Sequence, residues 1–174
     1  MPVNMKRMIA KELFYLIEEK GLDKLNVQML ATHCGISRQA FYYHFRDIWD
    51  VIDWSCQEVL SELVKKTDRS PDLVKVLQRY LDLACSNRHL LARFCESDHY
   101  RAFEQLMCHY TSLFLEQALE GRWPEHLADP RKQRIFLELY GPALFLYTLK
   151  LSQRPRVNSS EYARQLYSLI FAKW

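Results

Sequence analysis

The chain has 174 residues, 49% of them hydrophobic, only four glycines and six prolines, and a formal net charge of +3. That composition supports a buried core and long helices, and it excludes a strongly basic chain in which charge alone would announce nucleic acid. The five cysteines (34, 56, 85, 95 and 108) are odd in number and hold no Cys-x-x-Cys pair, so neither a disulfide framework nor a zinc spacing is expected.

Met5, Met8, Ile9, Leu13, Leu16 and Ile17 recur at helical spacing and predict a first helix over residues 5–20, stopped at Gly21. This start is amphipathic rather than an apolar leader. No apolar run approaches the ~18 residues of a membrane span. The expectation is a reduced, cytoplasmic protein with mostly buried thiols. Lys6 and Arg7 stand at the exposed start, as solvated charge or as phosphate contacts. Residues 1–50 hold seven Lys/Arg against six Asp/Glu, so any affinity for DNA must rest on where the cations sit.

Asn26 is placed to cap a second helix over residues 27–34. Gly35 then supplies a left-handed helix stop, with Ile36 as an apolar plug beside it. Ser37 has the chemistry to cap a third helix ending near 44 or 45. Leu30, Ile36, Phe41 and Phe45 can share one core. Arg38, Gln39, Tyr42, Tyr43 and His44 are left for the other faces. Two short helices about a glycine turn, the second displaying donors, predict a helix-turn-helix.

Asp47 suits the start of a fourth helix over 48–66. Ser70-Pro71 reads as a cap followed by a first-turn proline, opening a fifth helix to about 86. Asn87 breaks the pattern before a short helix over 89–95, and a seventh helix follows over 99–120 to Gly121. Asp129-Pro130 repeats the cap-plus-proline start for an eighth helix to about 151. Within it Gly141-Pro142 predicts a kink, since Pro142 removes a backbone bond. Residues 158–161 open a ninth helix ending near 173. The expected fold is all-α: a three-helix helix-turn-helix head, residues 1–47, and a helical body, residues 48–174.

The stretch from Leu30 to Phe45 resembles the DNA-binding domain of the TetR family of transcriptional regulators. The resemblance rests on Gly35-Ile36-Ser37, Phe41-Tyr42 and His44-Phe45, and covers roughly residues 5–55. The run Ser37 to Ile48 is similar to a narrower subgroup, the dihydroxyacetone-kinase-regulator-like members. The resemblance implies a homodimeric regulator, repressing by default, that binds a near-palindromic operator in double-stranded DNA under control of a small-molecule effector. The subgroup adds sugar-like or ketone metabolism, or a protein co-regulator, as the signal.

The chemistry of the residues agrees. Arg38 and Gln39, in the first turn of the third helix, have the forks for guanine and adenine edges. Ala40 suits a thymine methyl, and Gln28 is a further candidate for base or phosphate. Tyr42 and His44 match positions that usually hold phosphate in the family; Tyr43 and Arg46 stand beside them, and Ser37 heads the helix. Where many members carry a lysine, this chain has Ile48, which removes one phosphate contact.

By the same resemblance, an effector pocket among the fourth to eighth helices would draw on Trp54, Tyr80, Phe94, Tyr100, Phe103, Tyr110, Phe114 and Tyr140, with ordinary core packing as the alternative. A dimer interface would use Ile135, Leu139, Leu146 and Leu149 with Leu166, Leu169 and Ile170; here too an intrachain core is the alternative. No cofactor, metal, membrane or enzymatic role is expected. Glu96-Ser97-Asp98-His99 has the Glu-x-x-His spacing of di-iron bundles, but those need a second copy. The competing function is a helical adaptor that kept the head and lost DNA binding.

Overall fold

The computed structural model describes residues 4–67 and 72–171. Among them the chain forms nine α-helices and no strand: α1 (Met5–Lys20), α2 (Val27–His33), α3 (Arg38–His44), α4 (Ile48–Thr67), α5 (Leu73–Ser86), α6 (Arg88–Cys95), α7 (Tyr100–Leu119), α8 (Pro130–Ser152) and α9 (Ser159–Phe171). The all-α expectation stands. Two 3-10 turns, Leu22–Lys24 and Glu125–Leu127, were not anticipated. They are single turns, too short to carry a periodicity.

Most helix starts have the chemistry expected of them. Asn26 accepts the Met29 N–H at 2.9 Å, Ser37 the Ala40 N–H at 3.0 Å, and Asp129 the Arg131 N–H at 2.8 Å. The fifth helix differs: it begins at Leu73, capped by Asp72, whose carboxylate accepts the Val74 N–H at 3.0 Å. The Ser70-Pro71 signal and the last residues expected of the ninth helix lie outside the described residues. Pro142 sits inside α8, which runs on through it.

The chain divides into two compact units. One comprises residues 1–59 with 89–104; the other comprises 60–88 with 105–174. In the first, α1 buries Ile9, Leu13, Leu16 and Ile17, four of the six residues of the expected stripe, with Met5 and Met8 half-buried, and Leu30, Phe41, Phe45, Val51 and Ile52 are buried as well. In the second, α5, α7, α8 and α9 close a core around Leu77, Leu81, Phe114, Leu115, Leu144 and Leu151. Among the described residues no helix is long and apolar enough to cross a membrane. The five cysteines form no disulfide among the described residues, and burial pushes Cys34 up to about 11 and Cys56 to about 12.

Candidate nucleic-acid interface

The turn between α2 and α3 is built from backbone. Gly35 has φ +67°, the left-handed region. Its N–H donates to Thr32 O at 3.1 Å and the next N–H, of Ile36, reaches back to Ala31 O at 3.0 Å. Those paired bonds form a Schellman stop, which satisfies the carbonyls left open at the end of α2. The chain leaves in extended form, Ser37 caps α3, and Phe41, fully buried, holds α3 down.

With Phe41 inward, the other faces of α3 point out. Arg38, Gln39 and Tyr42 are exposed, Tyr43 is 85% exposed, and Ala40 and His44 are half-buried. The helix therefore offers a guanidinium, an amide and two phenols on a short, anchored rod. Arg38 lies along Tyr42: its Nη2 donates to the phenol oxygen at 3.4 Å and its guanidinium carbon is 5.8 Å from the ring centroid. The Tyr43 ring stands edge-on to His44 at 5.0 Å. On α2, Gln28 is exposed and its amide donates to Thr32 Oγ1 at 3.2 Å.

Other candidate cations are already engaged. Arg46 Nη2 lies 3.3 Å from Asp50 Oδ1. Arg7 pairs with Glu58 at 2.9 Å. Lys6 Nζ sits over the Phe45 and Trp54 rings, 5.1 and 5.8 Å from their centroids. Phosphate contacts by these side chains would compete with those partners, and such exposed pairs are worth little to hold.

The start of α4 positions the end of α3. Asp47 Oδ1 accepts the Asp50 N–H at 2.8 Å, and Asp50 Oδ2 accepts the Arg46 N–H at 2.8 Å. The Arg46 backbone N–H, helped by its guanidinium, holds the Asp50 carboxyl below the usual aspartate range. A carboxyl lowered in the folded state stabilises above its unfolded pKa and loses that contribution as pH falls through the folded one. Asp50→Ala should therefore lower the melting temperature at neutral pH, and the gap to wild type should close as pH drops below about 4. Thermal melts at several pH values check this; a gap independent of pH would remove the carboxylate from the account.

The remaining expected site residues fall as follows. Trp54, Phe94, Tyr100 and Phe103 belong to the first unit; Tyr80, Tyr110, Phe114 and Tyr140 belong to the second. Trp54 packs edge-on to Phe45 at 5.7 Å, and Phe94 stacks on Phe103 at 4.0 Å. Tyr80 stacks on Phe114 at 4.9 Å and shares a 2.7 Å hydrogen bond with Thr111. Burial pushes the Tyr80 phenol up. None of the eight lines the cleft of about 950 Å³ between α7 and α8, whose walls include Cys108, Ser112, Glu116, Trp123, Leu137 and Pro142. That cleft went unnoticed in the sequence because its residues share no periodic signal.

Of the interface candidates, Ile135, Leu139, Leu146 and Leu169 are exposed, Leu139 at 63% and Leu169 at 65%. Leu149 is buried within the chain, and Leu166 and Ile170 pack partly against its core.

Residues 9–51 match the family model described as bacterial regulatory proteins, tetR family. Solved structures resemble the chain over nearly its whole length. The dihydroxyacetone kinase operon activator DhaS is 19% identical, with 98% of this chain and 96% of that one covered and a TM-score of 0.72. The fatty acid degradation regulator FadR from Bacillus halodurans is 13% identical, with 98% and 96% covered and a TM-score of 0.64. A transcriptional regulator from Aquifex aeolicus VF5 is 20% identical, with 95% and 99% covered and a TM-score of 0.58. At these identities the likeness is one of fold. No curated protein matches the chain.

Proposed function

From a chain whose residues 9–51 make it a TetR-family regulatory protein, we propose a sequence-specific DNA-binding repressor that acts as a homodimer under effector control. The observation that carries this reading is α3 itself: Phe41 is fully buried while Arg38, Gln39, Tyr42 and Tyr43 face outward behind a Schellman turn. Arg38 and Gln39 read bases; Tyr42, Tyr43, His44, Arg46 and the Ser37 hydroxyl hold the backbone, with Gln28 and Ala40 at the margin. Residues 1–47 carry the DNA contacts and 48–174 the dimer and effector functions.

The exposed apolar residues Ile135, Leu139 and Leu146 of α8, with Leu169 of α9, support the dimer. A twofold pair would set two copies of α3 about 34–36 Å apart, or a multiple of that, along one face of DNA. The effector must favour one head spacing over the other to act. Since DhaS carries the name of an operon activator, activation is the other outcome of a reporter assay.

The test is selection from random duplex DNA, followed by anisotropy titrations in salt. Wild type should select a near-palindrome and bind it less tightly as salt rises. Arg38→Ala should lose about 1–3 kcal/mol of discrimination at one base position. Tyr42→Phe should weaken all sequences alike. Selection of no sequence would shift the reading to the adaptor.

A further inference from the structure

Arg38 and Tyr42 stand one turn apart on the same face of α3. Side chains of a helix lean toward its N-terminus, so the Tyr42 ring lies back over the turn that Arg38 opens. The guanidinium carbon of Arg38 is 5.8 Å from the ring centroid, and its Nη2 donates to the phenol oxygen at 3.4 Å. The ring is itself supported. Phe41, fully buried, meets it at 5.7 Å between centroids with the planes at 82°. Tyr42 is accordingly 49% exposed, against 85% for Tyr43, which stands edge-on to His44 instead. One face of α3 therefore carries a chain of contacts that runs from the core, through the Tyr42 ring, to the guanidinium of Arg38.

Such a contact bears on which base is accepted. A solvated arginine is long and rich in rotamers, and it gives up that freedom when it is fixed on a base edge. It can also swing from a mismatched base to a neighbouring phosphate and recover part of the lost contact. A guanidinium already laid on a ring has fewer such escapes, so a mismatch leaves its donors unpaired. The phenol serves both partners at once. Its oxygen accepts from Arg38, and its own proton remains for a phosphate.

We propose that Tyr42 braces Arg38: the ring, backed by Phe41, holds the guanidinium to one reach and so sharpens the choice of the base opposite it. Toward that base Tyr42 is a positioning residue, acting through Arg38. Its ring governs discrimination and its hydroxyl governs affinity. The discrimination role rests on the DNA-binding reading above; the bracing contact does not.

The experiment has two arms, both on the full-length protein. The first takes the selected palindrome and the base position that Arg38→Ala relaxes, and compares affinity for the preferred base with affinity for the other three. Tyr42→Ala should lower that ratio roughly threefold, the worth of an exposed cation–π contact, and leave the ratios at other positions unchanged. Tyr42→Phe keeps the ring and should keep the ratio while binding every duplex less tightly. Tyr42→Leu, which keeps an apolar contact with Phe41 but has no ring, should match Tyr42→Ala. Added to Arg38→Ala, none of these should change the ratio further. An unchanged ratio in both Tyr42→Ala and Tyr42→Leu, or an equal fall at every base position, overturns the discrimination role. The second arm is the proton spectrum of the protein without DNA. The δ protons of Arg38 should lie upfield in wild type and in Tyr42→Phe, and return toward free-chain values in Tyr42→Ala and Tyr42→Leu. Free-chain values in the wild type overturn the brace. A wild type that selects no DNA sequence overturns the regulator reading and the discrimination role with it, while the proton spectrum still decides the brace.

Discussion

Phe41→Ala should abolish DNA binding on every sequence and destabilise the protein by about 3–5 kcal/mol. Phe41 is fully buried, with the Tyr42 ring 5.7 Å and the Phe45 ring 6.1 Å from its own. It is the only buried residue of α3, which has seven residues. A helix that short does not persist in water by itself, so its order comes from this one anchor. Removing the ring leaves a cavity and frees the rod that carries Arg38 and Gln39. The loss is comparable to much of a domain's whole stability, about 5–15 kcal/mol. Urea melts and hydrogen exchange at α3 amides measure it. Tyr43→Ala, 85% exposed in the same helix, is the control and should stay within about 0.5 kcal/mol. If both variants melt alike, Phe41 is not the anchor.

Gly141→Ala should destabilise the second unit even though alanine is the better helix former. A methyl at Gly141 would collide with Ser112 Oγ and lie 2.8 Å from the serine Cβ and 2.9 Å from its Cα. The hydroxyl could turn aside, at the cost of its bonds to Cys108 O at 3.1 Å and Leu137 O at 3.2 Å. The backbone of Ser112 cannot turn, so α7 and α8 must separate. Overpacking of this kind costs about 1–3 kcal/mol, occasionally more. The intrinsic gain of alanine over glycine, about 1 kcal/mol, opposes it. The net expectation is a melting temperature lower by about 2–4 °C for each kcal/mol lost. Ser112→Gly in the same chain should restore only part of the loss, because it removes the serine side chain and leaves the new methyl crowded against the α7 backbone. A Gly141→Ala protein that melts higher than wild type would mean the helices yield freely here.

These two positions mark what could and could not be read in advance. Phe41 was legible because its role is local: it shares a stripe with Leu30, Ile36 and Phe45 across a turn whose glycine, cap and spacing all lie within sixteen residues. The bounds of α1 and the start of α3 were legible for the same reason. Gly141 was legible only in part. Beside Pro142 it marks a kink; that it also lies against Ser112 of α7 is a closeness no periodicity reveals. Four of the eight aromatic residues offered for a pocket stack on one another in pairs, Tyr80 with Phe114 and Phe94 with Phe103. Helical spacing alone does not distinguish such pairs from a lining. Nor did composition mark residues 89–104 as belonging to the head, because Asp23 and Ser97 meet through the fold and not through the chain.

The head's discontinuity has a consequence for how the chain is made. During synthesis an N-terminal domain ordinarily folds first, as soon as it clears the ribosome. Here residues 1–59 emerge without the segment 89–104 that completes their unit, and all of α5 must be translated in between. Until Glu104 has left the ribosome, the surface that Leu91, Phe94 and Phe103 help to bury stays uncovered. Helix α3 is thus translated well before the segment that completes its unit, and that unit stays open for the interval.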